Sequence, residues 1–410
     1  MTDYRPPLDD IQFVLEHIVH YDDLAALPDF EHADPETVGE LLAAAGEFVA
    51  EAVAPVDRPG DVEGAQWHPD HTVTTPSAYK PVYDEFVKAG WPSIPFPEEF
   101  GGGAFPWTIG LAVQEMLTSA SMGFSLAPLL TQGAIDALLH YGTDEQKAAY
   151  LPKMVAGEWT GTMNLTEPQA GSDVGALTTM AVPNGDGTYA ITGQKIFISW
   201  GEHDLAGQIV HLVLARTPDA PAGTAGNSCF IVPKFLLDAD GEPGERNGVR
   251  ALSIEHKMGI HGSPTCVMEY DGATGYLIGE LNKGMRIMFV MMNNARLSVG
   301  MEGLAVGERA YQKALAYAQD RIQGKAVGGG EDVAIIEHPD VRRMLLTQKA
   351  YLAALRCLLY YNAGQIDRSK HHPDEAVRAR AAEVVGILTP VCKGFGTDLG
   401  VEMSSLALQV

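Results

Sequence analysis

The chain has 410 residues, 46% hydrophobic and 20% charged, which predicts two or three packed domains of ordinary globular composition. A formal net charge of −25 repels polyphosphate and makes nucleic acid a poor candidate partner, so any phosphorylated ligand must be gripped by a few local donors. No unbroken apolar run reaches membrane-spanning length, the acid- and proline-bearing start does not read as a secretion signal, and four scattered cysteines (Cys229, Cys266, Cys357, Cys392) point away from zinc or disulfides and toward a reducing cytoplasm.

In chain order, Asp34 followed by Pro35 marks a helix start, an acceptor followed by a residue that needs no amide partner. Val38, Leu41, Leu42, Ala45, Phe48, Val49 and Ala52 then recur with helical period, and Pro55 is the expected stop. Residues 59–75 read as a loop, and helical pattern returns at 79–90 and 109–119. Gly101-Gly102-Gly103 reads as a turn rather than a phosphate cradle. A helix over 131–141 closes at Gly142. Thr143 with Gln146 forms a capping box for the next helix, which is expected to end at Pro152.

Near Glu158 the pattern changes to short β-type runs. Residues 176–182 and 188–192 flank Asn184-Gly-Asp-Gly and predict a hairpin. Further strands are expected at 196–199, 208–215, 228–233, 248–256 and 265–270, with surface loops at 217–226 and 238–247. From Gly284 onward helical period resumes, through a stripe of Leu297, Met301, Leu304, Tyr311, Leu315 and Ala318. Gly300, Gly303 and Gly307 share a face, which predicts close approach of another backbone. After a glycine-rich break at 326–333, helices are expected at 338–362 and 374–389.

No HExxH, Walker A, GxSxG or strand-linked GxGxxG is present. The histidine pairs His17/His20 and His371/His372 read as ordinary surface residues, and no metal site is expected. Two segments carry chemical interest. Met163-Asn-Leu-Thr-Glu-Pro-Gln-Ala-Gly-Ser-Asp173 combines small residues with backbone amides and a hydroxyl that could meet phosphate oxygens; composition alone favours a bare turn between strands. Gly193-Gln-Lys-Ile-Phe-Ile-Ser-Trp200 alternates Ile196 and Ile198 with Phe197 and Ser199. It reads either as a half-buried strand or as a face for a flat aromatic ligand.

Taken together and in order, these two segments resemble the FAD-dependent acyl-CoA dehydrogenase family. GTDEQKAAYLPKMVAGE before them, KMGIHGSPTC after them, and the Arg296 helix followed by Asp320-Arg321 extend the resemblance from about residue 35 to the end. RPPLDDIQFVLEHI and LTPVCKGFGTD resemble the longer-chain branch that includes 3-(methylthio)propanoyl-CoA dehydrogenases. The implied fold class is α+β multidomain: an N-terminal extension (1–34), an N-terminal α-helical domain (35–157), a central β-barrel or sandwich domain (158–281) and a C-terminal α-helical bundle (282–410). The implied activity is α,β-dehydrogenation of an acyl-CoA thioester to a trans-2-enoyl-CoA with hydride transfer to FAD. A noncatalytic flavin or acyl-CoA binder of the same fold and a flavin acyl-CoA oxidase are the alternatives.

The resemblance assigns Met163, Leu165 and Thr166 to the flavin ring, Gly171 and Ser172 to the pyrophosphate or CoA side, and Phe197 and Ser199 to the other side of the ring and N5. Arg296 and Ser172 fall at the substrate, Arg321 at FAD phosphates of a neighbouring subunit, and Gln409 at another FAD contact. Many relatives have Trp and Thr where this chain has Phe197 and Ser199, and an aromatic residue after Arg321-Ile322-Gln323 where this chain has Gly324. An electron-transfer flavoprotein is the implied acceptor, a homodimer or homotetramer the implied assembly, and no membrane span is expected. The family's catalytic glutamate lies further along than Gln409 or, in a minority, just before the arginine, where this chain has Ala295. The expectation is therefore a C-terminally truncated product with little or no activity, its base beyond Val410.

Overall fold

The computed structural model describes residues 4–410. The chain packs as two units, each built from segments distant in sequence. A helical unit contains the chain up to Pro55, Ala104–Met122 and Arg296–Val410; a mixed unit contains Val56–Gly103 and Gly123–Ala295.

In the helical unit, Asp34 caps the helix Pro35–Phe48 by accepting the amides of Glu36 and Thr37. The expected stop at Pro55 does not occur. A π-helical turn, Val49–Val53, shifts the hydrogen-bond ladder so that the Ala54 N–H reaches the Val49 carbonyl, and the helical path continues through Pro55 into Ala54–Glu63, whose residues from Val56 onward belong to the mixed unit. Three long helices complete this unit's framework: the part of Gly284–Asp320 from Arg296 onward, Pro339–His371, and Glu375–Gln409. The last runs straight through Pro390, beyond the expected end at 389. Residue 386, whose carbonyl the proline ring crowds, is a glycine with open space around it.

The expected close approach at the glycine stripe is present at two of its three positions. A Cβ on Gly300 would lie 2.6 Å from the Cys392 carbonyl oxygen, and one on Gly303 would lie 1.9 Å from that of Gly396. Gly307 instead faces the Leu352 side chain. Deeper in, Arg356 donates to Glu115 at 2.7 and 2.9 Å and to Glu308 at 3.0 Å, and Tyr360 donates to Glu115 at 2.7 Å, all four side chains buried. A charge triad of this kind is tolerable only because its oxygens and donors are matched.

The mixed unit is organised by a seven-stranded sheet: β1 Trp159–Asn164, β2 Met180–Pro183, β3 Tyr189–Ser199, β4 Gln208–Arg216, β5 Asn227–Pro233, β6 Val249–Ile254 and β7 Thr265–Ile278. The expected hairpin is β2–β3, antiparallel across Asn184–Thr188. The runs at 188–192 and 196–199 are one continuous strand, and β7 is more than twice the expected length. β1 was not anticipated as a strand; it pairs in parallel with β4. The pairings β3–β2–β4–β5–β7 return to β3 and close a ring, with β6 and β1 added outside it. The ring surrounds an apolar core of Ile191, Ile198, Val213, Phe230, Val232, Ala251 and Met268. The central β domain expected from the sequence is thus barrel-like.

Helices of this unit include Tyr79–Lys88, Met122–Tyr141 and Asp144–Val155. The Thr143–Gln146 capping box forms, but Pro152 lies inside its helix. Gly101–Gly103 is a turn; the amides of Gly102 and Gly103 bond Pro97 and Ser93 carbonyls and are not free for a phosphate. Two helices, Met122–Tyr141 and Glu375–Gln409, are long and apolar enough to cross a membrane by length and composition. Within their most apolar windows, 67% of the first is buried in protein against 28% of the second. Polar residues are dispersed along both, so neither forms the unbroken apolar run on which the sequence expectation rests.

Candidate functional site

The two chemically interesting segments meet in the mixed unit. β1 delivers Met163 and Asn164 to its C-terminal edge, held from behind by a buried hydrogen-bonded ladder. Tyr270 Oη donates to Asn164 Oδ1 at 2.9 Å, Asn164 Nδ2 donates to Thr162 Oγ1 at 2.9 Å, and Thr162 Oγ1 lies 2.7 Å from His211 Nδ1. Burial, reinforced by the charges of Lys234 and Arg246, pushes the His211 imidazole down to about 3. It is neutral at neutral pH and serves as a strut, not a proton donor.

Beyond Asn164 the chain makes a tight turn in which Glu167 and Ala170 exchange backbone hydrogen bonds at 3.0 Å. Glu167 points inward, and its carboxylate accepts six donors. Lys195 Nζ at 2.9 Å, Thr179 N at 3.1 Å and Thr179 Oγ1 at 2.6 Å reach one oxygen. Thr178 N at 2.7 Å, Thr178 Oγ1 at 2.9 Å and Gln169 Nε2 at 2.6 Å reach the other. Burial alone would raise this carboxyl, but the ammonium and threonine donors reverse that and bring it down to about 2. For Lys195 burial wins over the carboxylate, and the ammonium is lowered to about 8.

The strand β3 supplies the other half. Opposite Val267, two β3 residues, Ile196 and Phe197, occupy the space of one, a β-bulge between the pairs Lys195–Met268 and Ile198–Cys266. Phe197 takes φ +60°, a left-handed conformation that a bulky residue rarely adopts. The bulge switches the strand's parity. Lys195 before it and Ile198 after it both point inward, while the Phe197 ring is turned out, 58% exposed. The motifs are stitched by two further bonds: Ile196 N–H donates to the Thr166 carbonyl at 2.9 Å, and Lys195 Nζ to the Leu165 carbonyl at 2.9 Å.

Met163, Leu165, Thr166 and Ser199 are half-buried around this junction, and Ser172 is exposed. Gly171 lies against Thr166, where an added Cβ would be 3.7 Å from its Cγ2. The three remaining sequence-predicted positions belong to the helical unit. Arg296 is half-buried, and Arg321 is exposed just beyond Asp320, its Nη2 donating to Gln323 Oε1 at 3.0 Å. Ala407 and Val410 pack on the Ala314–Ala318 cluster, so Gln409 lies at the same end of this unit as Arg321. Arg296 is far from both, about 37 Å back along the same helix from Arg321.

Models of the N-terminal, middle and C-terminal domains of acyl-CoA dehydrogenases match residues 35–158, 162–273 and 282–410. The chain is 50% identical over 409 residues to 3-methylmercaptopropionyl-CoA dehydrogenase of Ruegeria pomeroyi, covering 99% of this chain and 69% of that protein. It belongs to the acyl-CoA dehydrogenase family. A butyryl-CoA dehydrogenase of Syntrophomonas wolfei is 41% identical over 352 residues, 83% of this chain but 58% of that protein. This acyl-CoA dehydrogenase chain thus spans 58% to 69% of the length of these relatives. An acyl-CoA dehydrogenase from Bacillus anthracis complexed with FAD shares the fold, with a TM-score of 0.74 at 24% identity over 94% of this chain and 62% of that one. The family is FAD-dependent.

Sequence reasoning singled out neither Glu167 nor Lys195. The available cue was a lysine in an otherwise apolar strand, a residue type almost never fully buried without a partner. It also passed over Glu302 in the helical unit. That side chain is buried with one carboxylate oxygen lacking any protein donor, and burial raises it to about 7, moderated by Lys393.

Proposed function

We propose that this chain is the FAD-binding body of an acyl-CoA dehydrogenase and that the junction of β1, its following loop and the β3 bulge receives the isoalloxazine. The observation that carries this reading is the Phe197 bulge. The chain holds an aromatic ring outward in a strained backbone beside half-buried Met163, Leu165 and Thr166, an arrangement suited to a flat ligand. Ser199 offers a hydroxyl beside that ring, and the loop at Gly171 and Ser172 offers small residues and backbone donors to a phosphate without a cationic side chain. Arg321 and Gln409, at one end of the helical unit, are the further cofactor contacts we infer, and Arg296 with Ser172 the acyl-CoA contacts.

When bound, FAD would supply hydride acceptance; forming a trans-2-enoyl-CoA also requires a base to take the proton from the carbon next to the thioester. The chain's residues bind and orient: Phe197 and the β1 edge hold the ring, and the buried ladder behind Asn164 keeps that edge from shifting. We infer 3-(methylthio)propanoyl-CoA as the first thioester to test, supported by the name of the Ruegeria relative. An electron-transfer flavoprotein as acceptor and a cytoplasmic setting belong to the same reading. Self-association as a homodimer or homotetramer is supported by the outward apolar residues Ile387, Val391, Phe395, Val401 and Leu408 on the last helix. One observation favours a second reading, a noncatalytic flavin binder: the position before Arg296 is Ala295, not a carboxylate.

Fluorescence titration of the 410-residue chain with FAD tests the first step, and saturable quenching is expected. Anaerobic addition of acyl-CoA thioesters to the FAD-loaded whole protein tests the second, with bleaching of the flavin expected. Failure to take up FAD removes the reading; uptake with no bleaching by any thioester leaves the noncatalytic binder.

A further inference from the structure

The loop between β1 and β2 contributes Leu165 and Thr166 to the proposed flavin face and Gly171 and Ser172 to the proposed phosphate side, yet it has little regular structure of its own. Apart from the short turn at Val174–Ala176, the Glu167–Ala170 bridge, and the backbone bonds from Ile196 N–H to the Thr166 carbonyl and from Arg216 N–H to the Thr179 carbonyl, it is held largely through side chains. Those side chains converge on one buried ion pair. Glu167 and Lys195 are 28 residues apart in sequence and both essentially inaccessible, with side-chain exposures of 1% and 0%. Glu167 gathers the far arm of the loop through the backbone and hydroxyl donors of Thr178 and Thr179. Lys195 gathers the near arm through the Leu165 carbonyl, and its neighbour Ile196 takes the Thr166 carbonyl.

Two independent features of β3 serve this pair. The Phe197 bulge is what turns Lys195 inward while leaving the ring outward. Gly193 is the place where Thr179 comes close: a Cβ there would stand 2.4 Å from Thr179 Oγ1 and 2.8 Å from its Cα. Any side chain at 193 would push Thr179 off the Glu167 carboxylate. Glycine, lysine and bulged aromatic within one short stretch of β3 are thereby explained by a single arrangement.

We propose that Glu167 and Lys195 are positioning residues: a buried latch that locks the β1–β2 loop onto β3 and so presets the flavin-facing surface before cofactor arrives. The latch rests on the flavin reading only for what the loop receives; the locking itself is a property of the FAD-free chain.

The test uses the 410-residue chain with E167Q, K195M, K195R and the paired surface change Q169A/T178V. Amide exchange without flavin reads the latch directly. The Thr178 and Thr179 amides are expected to be slow in the parent chain. They should exchange at least tenfold faster in E167Q and K195M, partly faster in Q169A/T178V, and close to parent rates in K195R. FAD titration reads the consequence: at least tenfold weaker binding in E167Q and K195M, recovery in K195R, and a two- to fivefold loss in Q169A/T178V. Exposed Gln169 and Thr178 keep the test decisive even where a buried variant does not fold. Parental exchange in all folded variants, or FAD affinity within twofold of the parent despite faster exchange, overturns the latch. If the parent takes up no FAD, the flavin reading falls while the exchange arm still judges the locking.

Discussion

Glu302→Gln should make the protein more stable at alkaline pH and leave it almost unchanged in mild acid. Glu302 is 8% exposed, and burial raises its carboxyl from 4.5 to about 7. The folded state therefore keeps a proton that the unfolded chain, near 4.5, has already released. Folding takes up that proton between these values, so stability from this residue is intact below 4.5, declines as pH rises through the window, and stays low above 7. A rise of roughly two and a half units corresponds to about 3 kcal/mol withheld from the native state once the carboxyl is ionised. Glutamine occupies the same space and never ionises, so the variant escapes the penalty. Urea unfolding of both proteins, followed by circular dichroism, should show the variant ahead by about 3 kcal/mol near pH 8 and within about 0.5 kcal/mol near pH 4.5. An equal difference at both pH values, or a variant weaker than the parent near pH 8, would refute the argument that Glu302 ionises in a dry site.

Three further outcomes follow from packing, backbone and charge. Gly303→Ala places a Cβ 1.9 Å from the Gly396 carbonyl oxygen and should cost about 1–3 kcal/mol or more. Gly394→Ala on the facing helix, with open space around it, should instead stabilise by about 1 kcal/mol from helix propensity; thermal melts of the two variants give the opposite signs. Phe197→Asn keeps a residue that tolerates positive φ, so apo stability should hold or rise by about 0.5–1 kcal/mol while FAD affinity falls at least tenfold. Phe197→Val should lose both, read by melting and by flavin titration. Arg356→Met leaves Glu115 and Glu308 buried without their cation and should cost about 3–5 kcal/mol in chemical unfolding.

Much of the architecture was legible in one sequence because local patterns carried it. Asp34-Pro35 and the Thr143–Gln146 box cap helices as read, and Asn184-Gly-Asp-Gly turns a hairpin. The glycine stripe announced a close backbone. Element ends were less legible wherever proline met a compensating neighbour. Pro55 is carried by a π-helical turn, and Pro390 by an unobstructed Gly386. Strand β1 was hidden because its partner β4 lies some 50 residues away in parallel, and a fully covered strand shows no alternation.

By itself the sequence determined the order of helical and β segments and the family kinship, and it marked two short stretches as candidates for cofactor binding. It could do so because periodicity, caps and motif order are properties of neighbouring residues. Only the tertiary structure decided how those stretches work together. The one-residue bulge at Ile196–Phe197 sends Lys195 inward and Phe197 outward, against the simple alternation the residues suggested. Whether a lysine and a glutamate 28 residues apart form a buried pair, or a glutamate such as Glu302 lacks one, depends on which strands and helices close around them. That is settled by long-range packing and desolvation, which no local pattern encodes.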